Sequence, residues 1–274
     1  MNNDLSSFAA TPLLLVGCGK MGAALLRGWQ GRGLPPNEVA VIQPSRAAAA
    51  EFADTAVVAH RGDLPPAFAP RTVVLAMRPQ QLDEATPPLA NLADFNLVSV
   101  LAGTSVSRLR ETLPGAASVV RAMPNLAVEV LRGVTTLFAD NDTAAVATEN
   151  ATLLFSALGD VVRLDDEEHL ELATALAGSG PAYVFLLARA LEDGAVELGM
   201  SREAARALSR GMIAGSGELL CRREEESAAL VREVAVRGGV TDAALSSGLG
   251  EALPRDILEA LRAGVRRARE LRGD

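Results

Sequence analysis

The sequence predicts an α/β domain built on a doubly wound parallel sheet, followed by an all-α domain. Short apolar runs of strand length alternate with helix-like segments in the first part of the chain, and no convincing strand occurs from Asp165 onward. Strands that alternate with helices favour a parallel sheet. A chain of 274 residues is long enough for two domains. We place them at residues 1–163 and 164–274.

The first predicted strand is the apolar run at residues 12–16. A continuous apolar run of this length is typical of a strand buried on both faces of a parallel sheet. Residues 23–30, which follow it closely, have helical composition. Further apolar runs predict strands at residues 39–42, 56–59, 72–76, 97–101 and 118–120.

A glycine motif follows the first predicted strand directly and precedes the first predicted helix. Gly17, Gly19 and Gly22 form the pattern Gly-x-Gly-x-x-Gly, the fingerprint of a Rossmann-type dinucleotide-binding domain. The glycines allow a tight turn and the close approach of a pyrophosphate to the helix N-terminus. We therefore assign these glycines, Lys20 and Met21 to cofactor binding. The alternatives are a turn needed only for packing and a lysine that is merely exposed.

The end of the second predicted strand indicates NADP rather than NAD. An acidic residue there would bind the ribose 2′-hydroxyl of NAD, but the sequence has Gln43-Pro44-Ser45-Arg46. A hydroxyl beside a cation suits a 2′-phosphate, so Ser45 and Arg46 predict a preference for NADP(H), with NAD(H) as the alternative. Ser45 would also serve as a helix cap with Arg46 in solvent.

Composition excludes several other functions. The net charge of −8 argues against nucleic acid as a partner. Cys18 and Cys221 are far apart and lie in no metal-binding motif, so we expect neither a disulfide nor a metal site. Residues 1–11 lack the features of a secretory signal, which makes a cytoplasmic location the expectation.

The apolar stretch at residues 170–198 predicts a buried helix. Charged residues such as Glu171 and Arg189 interrupt it, which argues against a membrane span. Pro181 fits the first turn of a helix, where its missing N–H costs nothing. Because the helix is apolar on nearly every side, we expect a second subunit to cover it.

Residues 178–185 (Gly-Ser-Gly-Pro-Ala-Tyr-Val-Phe) and 190–200 resemble the dimerisation signature of the pyrroline-5-carboxylate reductases. Segments 73–80, 98–103 and 120–125 resemble further family segments. The resemblance implies a homodimer at least, with dimers that assemble further into rings in the family. It implies cofactor contacts near the nicotinamide at Ala76, Met77, Arg78 and Pro79, and further contacts at Ala102 and Asn125.

The family's Ser-Pro-Gly-Gly-Thr-Thr segment, which lines its substrate pocket, is replaced by residues 236–241 (Val-Arg-Gly-Gly-Val-Thr). Leu126-Ala127 likewise stands where the family has Thr-Pro. Backbone N–H groups at Gly238, Gly239 and Val240, before a predicted helix, are expected to hold the substrate carboxylate. The resemblance makes Thr241 the catalytic candidate, its hydroxyl bonding the ring nitrogen. A helix N-cap is its alternative role, and the one we would favour without the resemblance.

The sequence has two histidines, no nucleophile elbow and no obvious acid–base pair. Hydride reduction of a cyclic imine needs orientation more than protein acids, and orientation can contribute ~7–11 kcal/mol. The resemblance, with which this lack of protein acids agrees, implies NADPH-dependent reduction of 1-pyrroline-5-carboxylate to L-proline, the last step of proline biosynthesis. A paralogous reductase of another cyclic imino acid and a non-catalytic dinucleotide-binding accessory protein remain alternatives. A β-hydroxyacid dehydrogenase is disfavoured, because enzymes of that class have a catalytic lysine in the helical domain and no lysine follows Lys20 in this sequence.

Overall fold

The computed structural model describes residues 4–45, 50–65 and 67–272. Of the predicted site residues, Arg46 lies outside this range. The chain divides into two compact units, Met1–Ser179 with Gly264–Asp274 and Gly180–Ala263. The predicted domain boundary after residue 163 stays a prediction.

The first unit is built on a sheet that contains eight strands within the described residues, in the order β3-β2-β1-β4-β5-β6-β7-β8. Strands β1 to β6 all pair in parallel, which confirms the predicted doubly wound sheet. The strands are β1 (Leu13–Val16), β2 (Val39–Ile42), β3 (Ala56–Val58), β4 (Thr72–Leu75), β5 (Phe95–Ser99), β6 (Ala116–Pro124), β7 (Gly133–Ala139) and β8 (Gly159–Leu164).

The last two strands were not predicted, and one of them departs from the parallel pairing. Strand β7 pairs antiparallel with β6, and β8 pairs parallel with β7 at the edge of the sheet. The apolar-run criterion missed both strands. Edge strand β8 is partly exposed and carries Asp160 and Arg163, and β7 contains Gly133 and two threonines. An edge strand does not need the continuous apolar run of a strand buried on both faces.

Strand β1 is buried on both faces, as predicted. Leu13 and Leu15 belong to the apolar core on one side of the sheet, whereas Leu14 and Val16 belong to the core on the other side. This alternation follows from the two-residue repeat of a strand. Helices of the first unit cover the sheet: α1 (Lys20–Gly31), α2 (Leu82–Ala85), α3 (Val106–Thr112), α4 (Ala145–Ser156) and α5 (His169–Ala173).

Trp29 fixes helix α1 against helix α4. Its indole is fully buried, and Nε1 donates to the carbonyl oxygen of Leu154 at 2.9 Å. Its ring also meets the Phe155 ring edge-on, with centroids 6.2 Å apart. A buried aromatic with a satisfied N–H gives α1 a defined position, and the glycine motif lies at the start of this helix.

The second unit is helical throughout, which confirms that strands end with the first unit. Pro181 occupies the first turn of α6, as predicted. A π-helical turn at Thr174–Gly178 links α5 to α6. The helices are α6 (Gly180–Glu197), α7 (Arg202–Arg222), α8 (Ser227–Val234), α9 (Val240–Ala244) and α10 (Gly250–Arg272), of which α10 ends within the first unit.

Large apolar side chains remain exposed on the second unit of the single chain. Phe185, Leu186 and Leu187 of α6 are 61%, 65% and 43% exposed. The continuous helical run His169–Glu197 is long and apolar enough to cross a membrane by length and composition, with a mean hydropathy of 1.4 in its most apolar window. A soluble dimerisation helix has the same composition, so the expectation of no membrane contact stays a prediction.

Candidate functional site

The glycine motif lies at the carboxyl edge of the parallel strands. The N–H of Gly17 donates to the carbonyl oxygen of Ile42 at 2.9 Å, and the N–H of Ala76 donates to that of Val16 at 2.7 Å. These bonds extend the sheet and bring together the loops that follow β1, β2 and β4. Open α/β sheets bind their ligands at this edge.

Two of the three glycines are required by close approach of the backbone. Gly17 has φ +92°, and a Cβ atom there would lie 2.6 Å from the amide nitrogen of Met77. A Cβ atom at Gly22 would lie 2.3 Å from the carbonyl oxygen of Gly17. Any larger residue would separate the turn from helix α1 or from the loop after β4. Packing therefore requires glycine at both positions, and their role in cofactor binding stays a prediction.

Gly19 is different, because open space surrounds the position of its missing side chain. It is the N-cap of α1, no side chain caps that helix end, and a Cβ atom would meet nothing within 4 Å. The first backbone N–H groups of a helix have no partner within that helix, so the start of this twelve-residue helix suits a phosphate. The turn thus has the room and the donors that a dinucleotide pyrophosphate needs.

A cleft of about 820 Å³ opens beside this turn. The structure brings most of the predicted cofactor residues into its lining. They are Gly17, Gly19, Lys20, Met21, Ser45, Ala76, Met77 and Arg78. Gly22, Pro79, Ala102 and Asn125 are not in the lining.

Gln43 occupies the place where an NAD-binding domain carries an acid. Its side-chain Oε1 accepts the N–H of Cys18 at 2.8 Å, which ties the glycine turn to the end of β2. Burial raises the pKa of the Cys18 thiol to about 11, so this side chain stays protonated near neutral pH. Cys18 therefore packs in the turn as a neutral thiol.

The cleft is cationic in a chain whose net charge is −8. Lys20, Arg61 and Arg78 line it, opposed among the described lining residues by the carboxylate of Glu84. Such local charge suits an anionic cofactor. Sequence reasoning missed Gln43 as a structural tie, and it missed His60 and Arg61 as lining residues. A usable signal for the last two existed, since they follow a predicted strand directly.

Asn125 lies outside the cleft and is engaged by the backbone on three sides. Its Oδ1 accepts the N–H groups of Ala127 and Val134, each at 3.2 Å, and its Nδ2 donates to the carbonyl oxygen of Ala177 at 3.1 Å. The side chain therefore joins β6 and β7 to the π-helical turn. Its predicted cofactor contact stays a prediction.

A buried ion cluster lies in the first unit and was not visible in the sequence. Arg121 is 3% exposed and Glu171 is 2% exposed, and Nη1 of Arg121 lies 2.8 Å from Oε1 of Glu167. The same Glu167 oxygen accepts the N–H of Val106 at the start of α3. Glu171 is also paired with Arg272, the last described residue of α10, at 3.4 Å. The cluster ties β6, α3 and the end of the chain together.

The predicted substrate residues lie in the second unit, in the turn before α9. Gly238 has φ +75°, and its N–H donates to Oδ2 of Asp242 at 2.8 Å. The N–H of Gly239 donates to the carbonyl oxygen of Val236 at 2.9 Å, and Val240 is 89% exposed. Two of the backbone groups expected to hold a carboxylate are thus engaged within the chain.

Thr241 is the second residue of α9, and the N-cap is Gly239. The alternative role of Thr241 as N-cap is therefore wrong, because the helix begins two residues earlier than that role requires. Among the described residues, no group of three potential His, Cys, Asp or Glu ligands is close enough to hold a metal ion.

A glycine turn at the carboxyl edge of a doubly wound sheet, beside a cationic cleft, defines a dinucleotide-binding protein of the Rossmann type. The family described as "NADP oxidoreductase coenzyme F420-dependent" matches residues 13–103, and the one described as "Pyrroline-5-carboxylate reductase dimerisation" matches residues 167–271. The chain belongs to the pyrroline-5-carboxylate reductase family.

Relatives named pyrroline-5-carboxylate reductase match nearly the full length. That of Haemophilus influenzae is 30% identical and covers 94% of this chain and 97% of its own. That of Thermus thermophilus is 36% identical, with 94% and 98% covered. The structure of a pyrroline-5-carboxylate reductase from Coxiella burnetii superposes with a TM-score of 0.87 at 28% identity, covering 96% of this chain and 98% of its own.

These similarities confirm the resemblance, the Rossmann-type domain with a helical dimerisation domain, and the use of NADP(H). The Plasmodium falciparum pyrroline carboxylate reductase, solved with NADP bound, shares the fold with a TM-score of 0.82 at 23% identity; 96% of this chain and 98% of that one are covered. The dimerisation domain also makes the protein a homo-oligomer, which accounts for the exposed apolar residues of α6.

Proposed function

We propose that the protein reduces 1-pyrroline-5-carboxylate to L-proline with NADPH, the last step of proline biosynthesis. The main support for this function is the combination of two observations. The chain has a glycine turn beside a cationic cleft, and it matches proteins named pyrroline-5-carboxylate reductase over nearly its whole length. When bound, NADPH supplies the hydride.

Three loops around the cleft and two positions outside it share the cofactor contacts in this proposal. Gly17, Gly19 and Gly22 shape the turn for the pyrophosphate, with Lys20 and Met21 at the start of α1. Ser45 and Arg46 bind the 2′-phosphate after β2. The loop after β4 and two further positions support the nicotinamide half; they are Ala76, Met77, Arg78, Pro79, Ala102 and Asn125. Holding the reacting atoms in register is the main catalytic contribution of such a site.

The substrate is held by the turn before α9. Backbone N–H groups at Gly238, Gly239 and Val240 receive its carboxylate, and the hydroxyl of Thr241 bonds its ring nitrogen. Because Gly238 donates to Asp242 and Gly239 donates to Val236 in this structure, the substrate carboxylate must displace both contacts. We assign these residues from family membership and from the turn geometry at Gly238.

The working form is a homodimer at least, which works in the cytoplasm without nucleic acid or membrane as a partner. Further assembly into rings of dimers is part of the same proposal. Support comes from the dimerisation family match and from the acidic net charge. A chain with net charge −8 lacks the basic surface that phosphate backbones require.

Steady-state oxidation of NADPH tests the activity. Purified protein is assayed with 1-pyrroline-5-carboxylate, with a six-membered cyclic imine and with a 2-carboxylate imine. The proposal expects the highest kcat/KM with 1-pyrroline-5-carboxylate and L-proline as the product. Preference for another ring would favour the paralogous reductase, and binding of NADPH without turnover would favour the accessory protein.

A glycine pair provides the control. Gly17→Ala places a Cβ atom 2.6 Å from a backbone nitrogen and should abolish NADPH binding and turnover. Gly31→Ala lies in open space at the end of the same helix and should change neither. Equal behaviour of the two variants would contradict the assignment of the turn.

A further inference from the structure

Residues 264–272 of α10, which we call the distal segment of α10, pack on the first unit through two glycines. A Cβ atom at Gly264 would lie 2.9 Å from the Cβ atom of Ala175 in the π-helical turn. A Cβ atom at Gly103 would lie 2.9 Å from the carbonyl carbon of Leu271, and Gly103 also has φ +67°. A residue with a side chain would push the chains apart at either position. The distal segment is therefore held closely on the first unit near both of its ends.

The second of these glycines, Gly103, belongs to the loop after β5 (residues 100–105), at the carboxyl edge of the sheet. The N–H of Val100 donates to the carbonyl oxygen of the last residue of β4 at 3.0 Å. The loop therefore leaves the sheet beside the loop after β4, whose first residue, Ala76, lines the cofactor cleft. Ala102, which the proposed function assigns to the nicotinamide half, directly precedes the glycine on which the distal segment packs.

The buried ion cluster joins the distal segment to the other end of this loop. Nη1 of Arg272 lies 3.4 Å from Oε1 of Glu171, and Nη1 of Arg121 lies 3.9 Å from the same oxygen. Arg121 also pairs with Glu167, whose Oε1 accepts the N–H of Val106 directly after the loop. Oε2 of Glu171 is buried and has no hydrogen-bond partner within the described part of the chain. Because burying a carboxylate is costly, Glu171 depends on its two arginines.

We propose that the distal segment of α10 positions the loop after β5 for hydride transfer, with Leu271 and Arg272 as positioning residues. Leu271 packs on Gly103, and Arg272 acts through the buried ion cluster on the start of α3. Held at both places, the loop keeps Ala102 in a fixed position against the nicotinamide, and such fixed orientation raises the rate of the chemical step. The proposal rests on the proposed function in taking Ala102 as a nicotinamide contact, and it does not depend on the identity of the imine.

Hydrogen exchange of the wild-type protein tests this coupling without any turnover. The two probes are NADP and adenosine 2′,5′-bisphosphate, a fragment that lacks the nicotinamide half. If the nicotinamide and the distal segment hold the same loop, each stabilises the binding of the other. NADP should therefore slow amide exchange at residues 100–105 and 268–272 about fivefold or more, and the fragment should slow neither.

Two results of the exchange experiment would contradict the proposal. One is that NADP leaves residues 268–272 unprotected. The other is that the fragment protects these residues as strongly as NADP, because protection would then come from general stabilisation of the first unit. No imine enters this experiment, so its result stands even if the wild type fails to reduce 1-pyrroline-5-carboxylate, a failure that would reject the proposed function alone.

Arg272→Met tests the same coupling in the reaction. At saturating NADPH and imine it should lower kcat about 10-fold, within the ~100-fold that a small misplacement of reacting groups can cost. Affinity for adenosine 2′,5′-bisphosphate should change less than about twofold. Arg272→Lys keeps the charge and should regain part of the lost kcat, which a loss of packing alone would not explain.

Arg267→Met is the matched control, because Arg267 lies on the same helix in an exposed ion pair with Glu270. It should keep the wild-type kcat. An unchanged kcat in Arg272→Met would overturn the proposal, and so would an equal loss of kcat and of affinity for the fragment. If Arg272→Met does not fold, the exchange experiment on the wild type decides.

Discussion

The N–H of Gly238 donates to Oδ2 of Asp242 across a distance of 2.8 Å. This hydrogen bond closes the turn before α9. The Asp242 carboxylate therefore occupies the Gly238 N–H group that is expected to bind the carboxylate of the substrate. Two anions compete for one donor at this point, so Asp242 acts against substrate binding in the proposed site.

We predict that Asp242→Asn lowers the KM for 1-pyrroline-5-carboxylate. The amide keeps an oxygen that can accept from Gly238 but removes the negative charge. Two like charges about 4 Å apart in water interact with roughly 1 kcal/mol, which corresponds to about a fivefold change in KM. Initial rates at saturating NADPH and varied 1-pyrroline-5-carboxylate measure this KM.

Asp256→Asn is the control for that experiment, since Asp256 is an exposed residue of α10 paired with Arg255. It should leave KM unchanged. A higher KM in Asp242→Asn would mean that the carboxylate organises the turn for substrate.

Thr241→Val should lower kcat/KM for the imine and leave the affinity for NADPH unchanged. The substitution preserves shape and removes one hydroxyl, whose hydrogen bond to substrate is worth ~1–3 kcal/mol. Because Gly239 is the N-cap of α9, we expect the melting temperature to stay the same. Normal turnover by this variant would move the search for the substrate site elsewhere, first to Asn125.

The predictable parts of the fold are those where one physical requirement dominates the choice of residue. Buried parallel strands need continuous apolar runs, and the turn at Gly17 needs a residue without Cβ, so both could be found in the sequence. Edge strand β8 meets no such requirement. In a sequence, Arg121 and Glu171 cannot be distinguished from charged residues on the surface. Only the folded chain shows that both side chains are buried and lie next to each other. The hydrogen bond between Gly238 and Asp242 likewise depends on the geometry of the turn between them, which the local sequence alone does not determine.

Arg121→Met should strongly destabilise the first unit. Removing the guanidinium leaves the 2%-exposed Glu171 with Arg272 as its remaining ion-pair partner among the described residues. Loss of one member of a buried ion pair typically costs about 3–5 kcal/mol. Urea unfolding at fixed protein concentration measures the free energy.

A double variant, Arg121→Met with Glu171→Leu, should recover part of that loss, because the buried Glu171 carboxylate is removed together with its partner and the remaining charges, Glu167 and Arg272, reach solvent. Arg108→Met, which breaks an exposed ion pair with Asp83, should cost about 1 kcal/mol or less. A similar small cost for Arg121→Met would show that the buried cluster contributes little to stability.

Arg46→Ala should raise the KM for NADPH and leave that for NADH nearly unchanged. Only a contact to the 2′-phosphate is removed, so the loss is confined to the cofactor that carries this group. Initial rates with each cofactor at saturating imine decide the outcome. Equal losses with NADPH and NADH would reject the assignment of Arg46.

Leu187→Glu should dissociate or unfold the homo-oligomer. Leu187 lies on α6, is 43% exposed in the single chain, and falls within the dimerisation domain at residues 167–271. A carboxylate buried without a partner at a subunit interface is strongly destabilising. Light scattering at micromolar concentration should show a multiple of 28.5 kDa for the wild type and smaller or aggregated species for the variant.

Leu153→Glu, on the exposed face of α4 in the first unit, should keep the wild-type mass. A folded wild-type monomer at that concentration would contradict the assembly, and an unchanged mass for Leu187→Glu would remove α6 from the interface.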